Sequence, residues 1–245
     1  MNARYTAWVL MSENTFFSQP AFILHQQKYR ETSLIIDTLT RDFGRLSLIA
    51  KGVRKAKSKT VGILRPFVCL SLSFTGKSNL KTITSADIIG LPFELKGLAL
   101  YSGFYVNELL CHLLHNDDPH PDVFQAYHEC LTQLATTNLY ESCLRTFELN
   151  LMDTIGYGVN FSYDLQHDKP VNPDKYYVFN KDLGLVENIN GQFSGLALLA
   201  MAQRQFDEPR VLSEAKQLMR QVIDSHLQGK QLKSRAVING IIKRL

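Results

Sequence analysis

Between residues 21 and 87 the chain alternates apolar and polar positions in five short runs, at 21–25, 33–40, 45–51, 67–74 and 80–87. A period of two with β-branched enrichment predicts half-buried strands. Asp42-Phe43-Gly44 supplies the turn of a hairpin between the second and third runs, and Gly76-Lys77-Ser78-Asn79 a turn between the fourth and fifth. Five short strands in about 70 residues predict a small closed barrel of the OB-fold kind. At Leu91-Pro92 the period changes. Leu98, Tyr101, Tyr105 and Leu109 recur at helical spacing and predict a helix over 94–115, ended by Asn116-Asp117-Asp118-Pro119. A second helix is predicted from about 122 to 136. A third opens on Asn138 as N-cap, with Glu141 three residues on, and runs to Gly156-Tyr157-Gly158. These three helices are expected to form a bundle core.

Residues 159–192 lose periodicity and read as an irregular insert with a hairpin of 176–179 against 185–187. Helices resume at 194–206, 210–227 and from 234 to the end. The expected architecture is α+β and multidomain: an N-terminal extension over 1–19, a five-stranded OB-fold barrel over 20–90, and a mainly α-helical domain over 91–245 that carries the insert. There is no internal repeat and no low-complexity tract.

Composition adds that 245 residues at 45% hydrophobic suffice for real cores. Cys69, Cys111, Cys130 and Cys143 lie in apolar surroundings without C-x-x-C spacing, which predicts reduced thiols and a cytoplasmic protein. The apolar run 7–11 is shorter than a secretory segment, and no stretch approaches a membrane span. Charge changes the picture more. Residues 51–65 hold six basic side chains and no acidic one, in a chain whose net charge is only +4, so the remainder carries −2. Positive charge gathered in one strand-connecting loop points to a polyanion. The alternative is a solvated loop. Lys77 and Lys81 flank the next turn, and Tyr29, Phe43, Phe67 and Phe74 are the aromatics available for base stacking if they are not core.

Catalytic signatures are missing: there is no P-loop, no G-x-S-x-G, no G-x-G-x-x-G after a strand and no H-E-x-x-H. The seven histidines are not in ligand spacing, and His112 with His115 lacks a third ligand. A non-enzymatic DNA-binding protein, an adaptor that uses its helical domain, and an RNA-binding barrel protein of translation all fit these residues.

Several stretches resemble one family. Residues 21–25 with Glu31-Thr32-Ser33, then 44–54, Leu64-Arg65-Pro66-Phe67 and Leu80-Lys81-Thr82, are similar to the RecO family of bacterial DNA repair and recombination-mediator proteins. The likeness continues through Leu100-Tyr101-Ser102-Gly103, Asn107-Glu108-Leu109-Leu110, Leu144-Arg145, Phe147-Glu148, Gly156-Tyr157-Gly158-Val159-Asn160-Phe161 and Leu232-Lys233-Ser234-Arg235. The resemblance implies a non-enzymatic mediator of the RecF or RecFOR-type pathway in the nucleoid-associated cytoplasm. Such a protein binds single- and double-stranded DNA, anneals complementary strands and helps load recombinase on DNA coated by single-strand-binding protein (SSB). Its partners are DNA, RecR and the acidic C-terminal tail of SSB, with no membrane. On this basis Lys51, Arg54, Lys55, Lys57, Lys59, Arg65 and Lys81 are expected to contact DNA, and Arg145 with Tyr105, Leu109 and Phe147 to receive the SSB tail. The alternative for Arg145 is an exposed helix arginine paired with Glu141 or Glu148. Two departures stand out: many relatives hold zinc through four cysteines after the Gly-Tyr-Gly region, whereas 159–190 here has none, so no zinc and no other cofactor is expected; and residues 1–19 have no counterpart.

Overall fold

Five strands pair around a closed ring in the computed structural model, which describes residues 14–55, 58 and 60–242. The strands are β1 (Thr15–Tyr29), β2 (Ser33–Thr40), β3 (Gly44–Ala50), β4 (Cys69–Thr75) and β5 (Leu80–Ile88). Their order is β1-β2-β3-β5-β4, closing back on β1, with β3 and β5 parallel and the other pairs antiparallel. The inward positions are those the alternation selects: Ile23, Leu34, Ile36, Leu46, Leu48, Leu70, Leu72 and Phe74 are all core. Thr38 and Thr40 are also buried, and each is satisfied by donating its hydroxyl to a backbone carbonyl, of Leu46 and Gly44 respectively.

β1 starts at Thr15, six residues before the predicted strand at 21. Residues 15–19 pair with β4 or lie in the irregularity between Phe16 and Gln19, where Ser18 takes φ +51°. The Ser-Gln-Pro punctuation is therefore a bulge inside a strand and not its boundary. Residues 1–13 of the expected extension lie outside the described residues.

The described chain divides into two compact units between Gln125 and Ala126. In the first, helix α1 (Gly97–Leu113) packs on β1, and Asn107 Nδ2 donates to the Leu24 carbonyl at 3.0 Å. On the same helix Gly103 admits Leu95 and Phe67, each of which a Cβ would meet at 2.8 Å. The sequence groups this helix with the two that follow; the structure places it in the barrel's unit. Gly44 is equally constrained, with φ +67° and a would-be Cβ 1.9 Å from the Asp118 carbonyl oxygen.

Helix α2 (Pro121–Thr136) leads into the second unit, where α3 (Tyr140–Thr154), α4 (Gly195–Ala202), α5 (Pro209–His226) and α6 (Lys233–Ile242) follow. α5 packs against both α3 and α4. Its buried face, Val211, Ala215, Leu218, Met219, Val222 and Ile223, has the helical spacing read in the sequence. The N-cap of α3 is Leu139, not Asn138: the Asn138 side chain accepts from the Tyr140 hydroxyl and caps nothing. The insert holds β6 (Tyr163–Asp164), β7 (Lys169–Pro170), β8 (Tyr176–Asn180), β9 (Gly184–Glu187) and β10 (Phe193–Ser194), arranged as a β6-β7 pair and a β10-β8-β9 sheet. The expected hairpin is β8-β9. All four cysteines are free thiols.

Candidate nucleic-acid interface

β3 and β4 are not neighbours in the ring, so the segment between them must cross one end of the barrel over the end of β5. That segment is the basic stretch. It is held by apolar side chains turned into the core, Val53 at 7% and Leu64 at 1% exposure, with Ile63 packed beside them. Anchoring by these residues leaves the cations outward. Lys51, Arg54, Lys55 and Arg65 are exposed, and none of these four is held in an ion pair among the described residues. Lys57 and Lys59 lie outside the described residues. An exposed cluster of cations outside ion pairs, beside residues anchored in the core, is suited to neutralising successive phosphates.

The loop is tied to the β1–β2 turn as well as to the core. The Arg54 backbone N–H donates to the Thr32 carbonyl at 2.9 Å, and Arg54 Nη1 donates to the Arg30 carbonyl at 3.2 Å. This brings Lys28 and Arg30, both exposed, beside Arg54 and Lys55. Neither appears among the sequence candidates. They are twenty or more residues from the basic window, and only the strand register joins them: Lys28 faces Leu34, which faces Ala50, the residue before Lys51. Glu31 is the one carboxylate of the turn.

Lys81 is placed differently. Its ammonium is 2.9 Å from the Asp117 carboxylate and its side chain is only 13% exposed. Asp117 in turn donates its N–H to the Arg45 carbonyl near the start of β3, whereas the basic loop leaves from the end of that strand. Lys81 itself pairs with Leu48 of β3, but its ammonium is held by Asp117 and is not left outside an ion pair as the loop cations are. Of the aromatic candidates, Phe74 is core and stacks on Phe16, Phe43 lies edge-on to Phe16 at 4.8 Å, and Phe67 is buried against Phe104. Tyr29 alone of the four stands at the rim, half-buried, with the Arg30 guanidinium 5.2 Å above its ring centroid.

The residues expected to receive an acidic tail are Tyr105 and Leu109 on α1 and Arg145 and Phe147 on α3, and all four are buried. Arg145 pairs with Glu148 one turn along α3, with side-chain exposures of 7% and 1%. The pairing with Glu148 weighed as the alternative thus exists, but the arginine expected to be exposed is buried. No cysteine is primed for chemistry at the barrel or α1: burial pushes the Cys69 thiol up to about 11 and the Cys111 thiol up to about 12.

In the insert, Asp164 has a fully buried side chain and accepts from the backbone N–H groups of Gln166, His167 and Glu187 and from the His167 ring. Burial opposes its ionisation, but those donors outweigh it and hold its pKa below the usual carboxylate range. No group of three His, Cys, Asp or Glu side chains placed to hold a metal occurs among the described residues, and no helix there is long and apolar enough to cross a membrane.

An OB-fold-like barrel with a cationic rim, followed by a helical unit, is the build of a nucleic-acid-handling protein. The comparisons narrow that class. The family model described as "Recombination protein O N terminal" matches residues 11–92, so residues 11–19 of the expected extension do have a counterpart, and "Recombination protein O C terminal" matches residues 95–236. The chain is 40% identical over 225 residues to the DNA repair protein RecO of Actinobacillus pleuropneumoniae serotype 7 (strain AP76), spanning 90% of this chain and 94% of that protein. It is 41% identical over 220 residues to the DNA repair protein RecO of Haemophilus influenzae (strain 86-028NP), spanning 89% and 93%. The chain belongs to the recombination protein O family, a family of DNA repair and recombination proteins and not of enzymes.

Proposed function

We propose that this protein is a recombination mediator whose OB-fold barrel holds DNA at the cationic rim. The observation that carries the reading is the group Lys51, Arg54, Lys55 and Arg65, exposed and outside any ion pair among the described residues, on a loop pinned to the core by Val53 and Leu64. Backbone contacts of this kind give affinity without sequence preference, so both single strands and duplexes bind, and two neutralised single strands can meet and anneal. Lys57 and Lys59 extend the same cluster in sequence.

The further steps are assistance of recombinase loading on SSB-coated DNA in a RecFOR-type pathway, contact with RecR, and capture of the SSB tail at Arg145. A peptide carboxylate at Arg145 takes the place that Glu148 has now, with Phe147 of the same helix as the apolar partner assigned to that tail. The site of action is the cytoplasm at the nucleoid. The insert works without zinc, its β6–β7 turn being organised by Asp164; metal analysis of the purified protein that returned one zinc per chain would sink this part.

The test is annealing of complementary oligonucleotides with and without SSB. The parent accelerates annealing in both conditions, and Lys51→Ala/Arg54→Ala/Lys55→Ala loses the acceleration. Full acceleration by the triple variant would remove the rim from the function. An RNA-binding role is separated in the same format by competition with RNA oligomers, which should not displace DNA preferentially.

A further inference from the structure

Beyond Phe22 the β1 strand leaves β4 behind: its register with β4 ends at Phe22–Cys69, while its pairing with β2 continues to Tyr29–Ser33. From His25 to Tyr29 this hairpin arm is paired to β2 alone, while β2 itself stays joined to β3, and His25, Gln26, Gln27 and Lys28 are all exposed. Successive strand residues point to opposite faces, so Tyr29 shares a face with Ser33 opposite it. Lys51 follows Ala50, the β3 partner of Leu34, and Arg54 bonds the Thr32 carbonyl, so the start of the basic loop and the Tyr29 end of the hairpin lie at the same end of the barrel.

Tyr29 is half-buried and absent from the core cluster, and its ring is covered by the Arg30 guanidinium. Arg30 itself takes φ +50°, a left-handed conformation that costs a non-glycine residue about 1–2 kcal/mol. The turn is held in that state by the bonds from Arg54 to the Arg30 and Thr32 carbonyls, so the basic loop fixes the place of the arm. A left-handed residue is ordinary in a tight hairpin turn; what sets this turn apart is that two bonds tie it to the basic loop.

We propose that Tyr29 is a base-stacking platform for single-stranded DNA and that Arg30 is its latch. A guanidinium is a flat, delocalised cation, and in the free protein it occupies the face of the ring that an unpaired base takes. When a strand enters, the base displaces the guanidinium, which turns to a phosphate beside Arg54. A duplex keeps its bases stacked inside and engages only the cations. The arm thus supplies the preference for single strands that the basic loop, reading only phosphates, lacks. This inference rests on the barrel rim being the DNA site.

The experiment measures binding of Tyr29→Ala, Tyr29→Phe and the loop variant Lys51→Ala/Arg54→Ala/Lys55→Ala to an oligothymidine and to a duplex of the same length, at several salt concentrations. Tyr29→Ala lowers affinity for the single strand by about 5- to 100-fold, as loss of one stacked base does, with an unchanged salt slope and a less than about twofold effect on the duplex. Tyr29→Phe retains both affinities. Arg30→Gly, which relieves the left-handed turn, lowers the single-strand salt slope by about 0.7 without abolishing binding. Equal losses on both substrates, or none, from Tyr29→Ala overturn the platform. If the loop variant fails in that same set while Tyr29→Ala binds normally, the rim survives and the platform does not; if the loop variant also binds normally, both fall.

Discussion

Arg145 and Glu148 are one turn apart on α3, with side chains only 7% and 1% exposed. Arg145→Ala removes the guanidinium and leaves the Glu148 carboxylate in the same buried place. Breaking one side of a buried pair costs about 3–5 kcal/mol, whereas replacing both partners by apolar groups of similar size is often neutral. Arg145→Ala is thus expected to lower the urea unfolding free energy by about 4 kcal/mol, and Arg145→Met/Glu148→Met to recover most of it. The assay is urea denaturation followed by far-ultraviolet circular dichroism, with hydrogen exchange of the α3 amides to report the unit that contains the pair. A single variant within about 1 kcal/mol of the parent, or a double variant worse than the single, would refute the reasoning. The same geometry decides how peptide binding is tested. Weak binding of an SSB-tail peptide by Arg145→Ala follows from either a lost contact or a disturbed helix. Glu148→Gln keeps the guanidinium and removes the competing charge, so the peptide should bind it more tightly than the parent; weaker or equal binding by calorimetry would separate Arg145 from the tail.

Gly44→Ala puts a methyl group against the Asp118 backbone at a left-handed position, and a fall in thermal midpoint of several degrees is expected, with no loss from Gly62→Ala, which has open space around it. Lys81→Met removes a largely covered cation already matched by Asp117, so stability changes by less than about 1 kcal/mol and the DNA salt slope stays where it is; a slope reduced as much as by a loop substitution would return Lys81 to the interface. Because the pKa of Asp164 is depressed on folding, its stabilisation is present above its unfolded value and lost as pH falls through its folded one. Asp164→Asn should therefore weaken hydrogen-exchange protection of the insert near neutrality, and the difference from the parent should vanish in strong acid; a difference that persists there contradicts the assignment.

The barrel was legible because half-buried strands alternate, and residues such as Leu46, Leu48, Leu70 and Leu72 declare one face each. The start of β1 was not, since a bulge at Ser18 reads like a turn when its β4 partner, some fifty residues on, is unseen. Charge density located the loop but not the whole rim. Lys28 and Arg30 join it through strand register, a property of the assembled sheet, and the Lys81 ammonium is held by Asp117, 36 residues away. At Arg145 the i, i+3 pair with Glu148 is written in the sequence, while its burial is set by the packing of the fold around α3.

The central claim is that the cations at the end of the barrel bind DNA phosphates. It is tested most directly by the salt dependence of single-strand affinity for the parent and for Lys51→Ala/Arg54→Ala/Lys55→Ala. Each neutralised phosphate contributes about −0.7 to the slope of log affinity against log salt. Six contacts, with Lys57 and Lys59 included, predict roughly −4.2 for the parent, and the triple variant should be shallower by about 2. A parent slope near zero, or a variant with the parent's slope and affinity, would contradict the account.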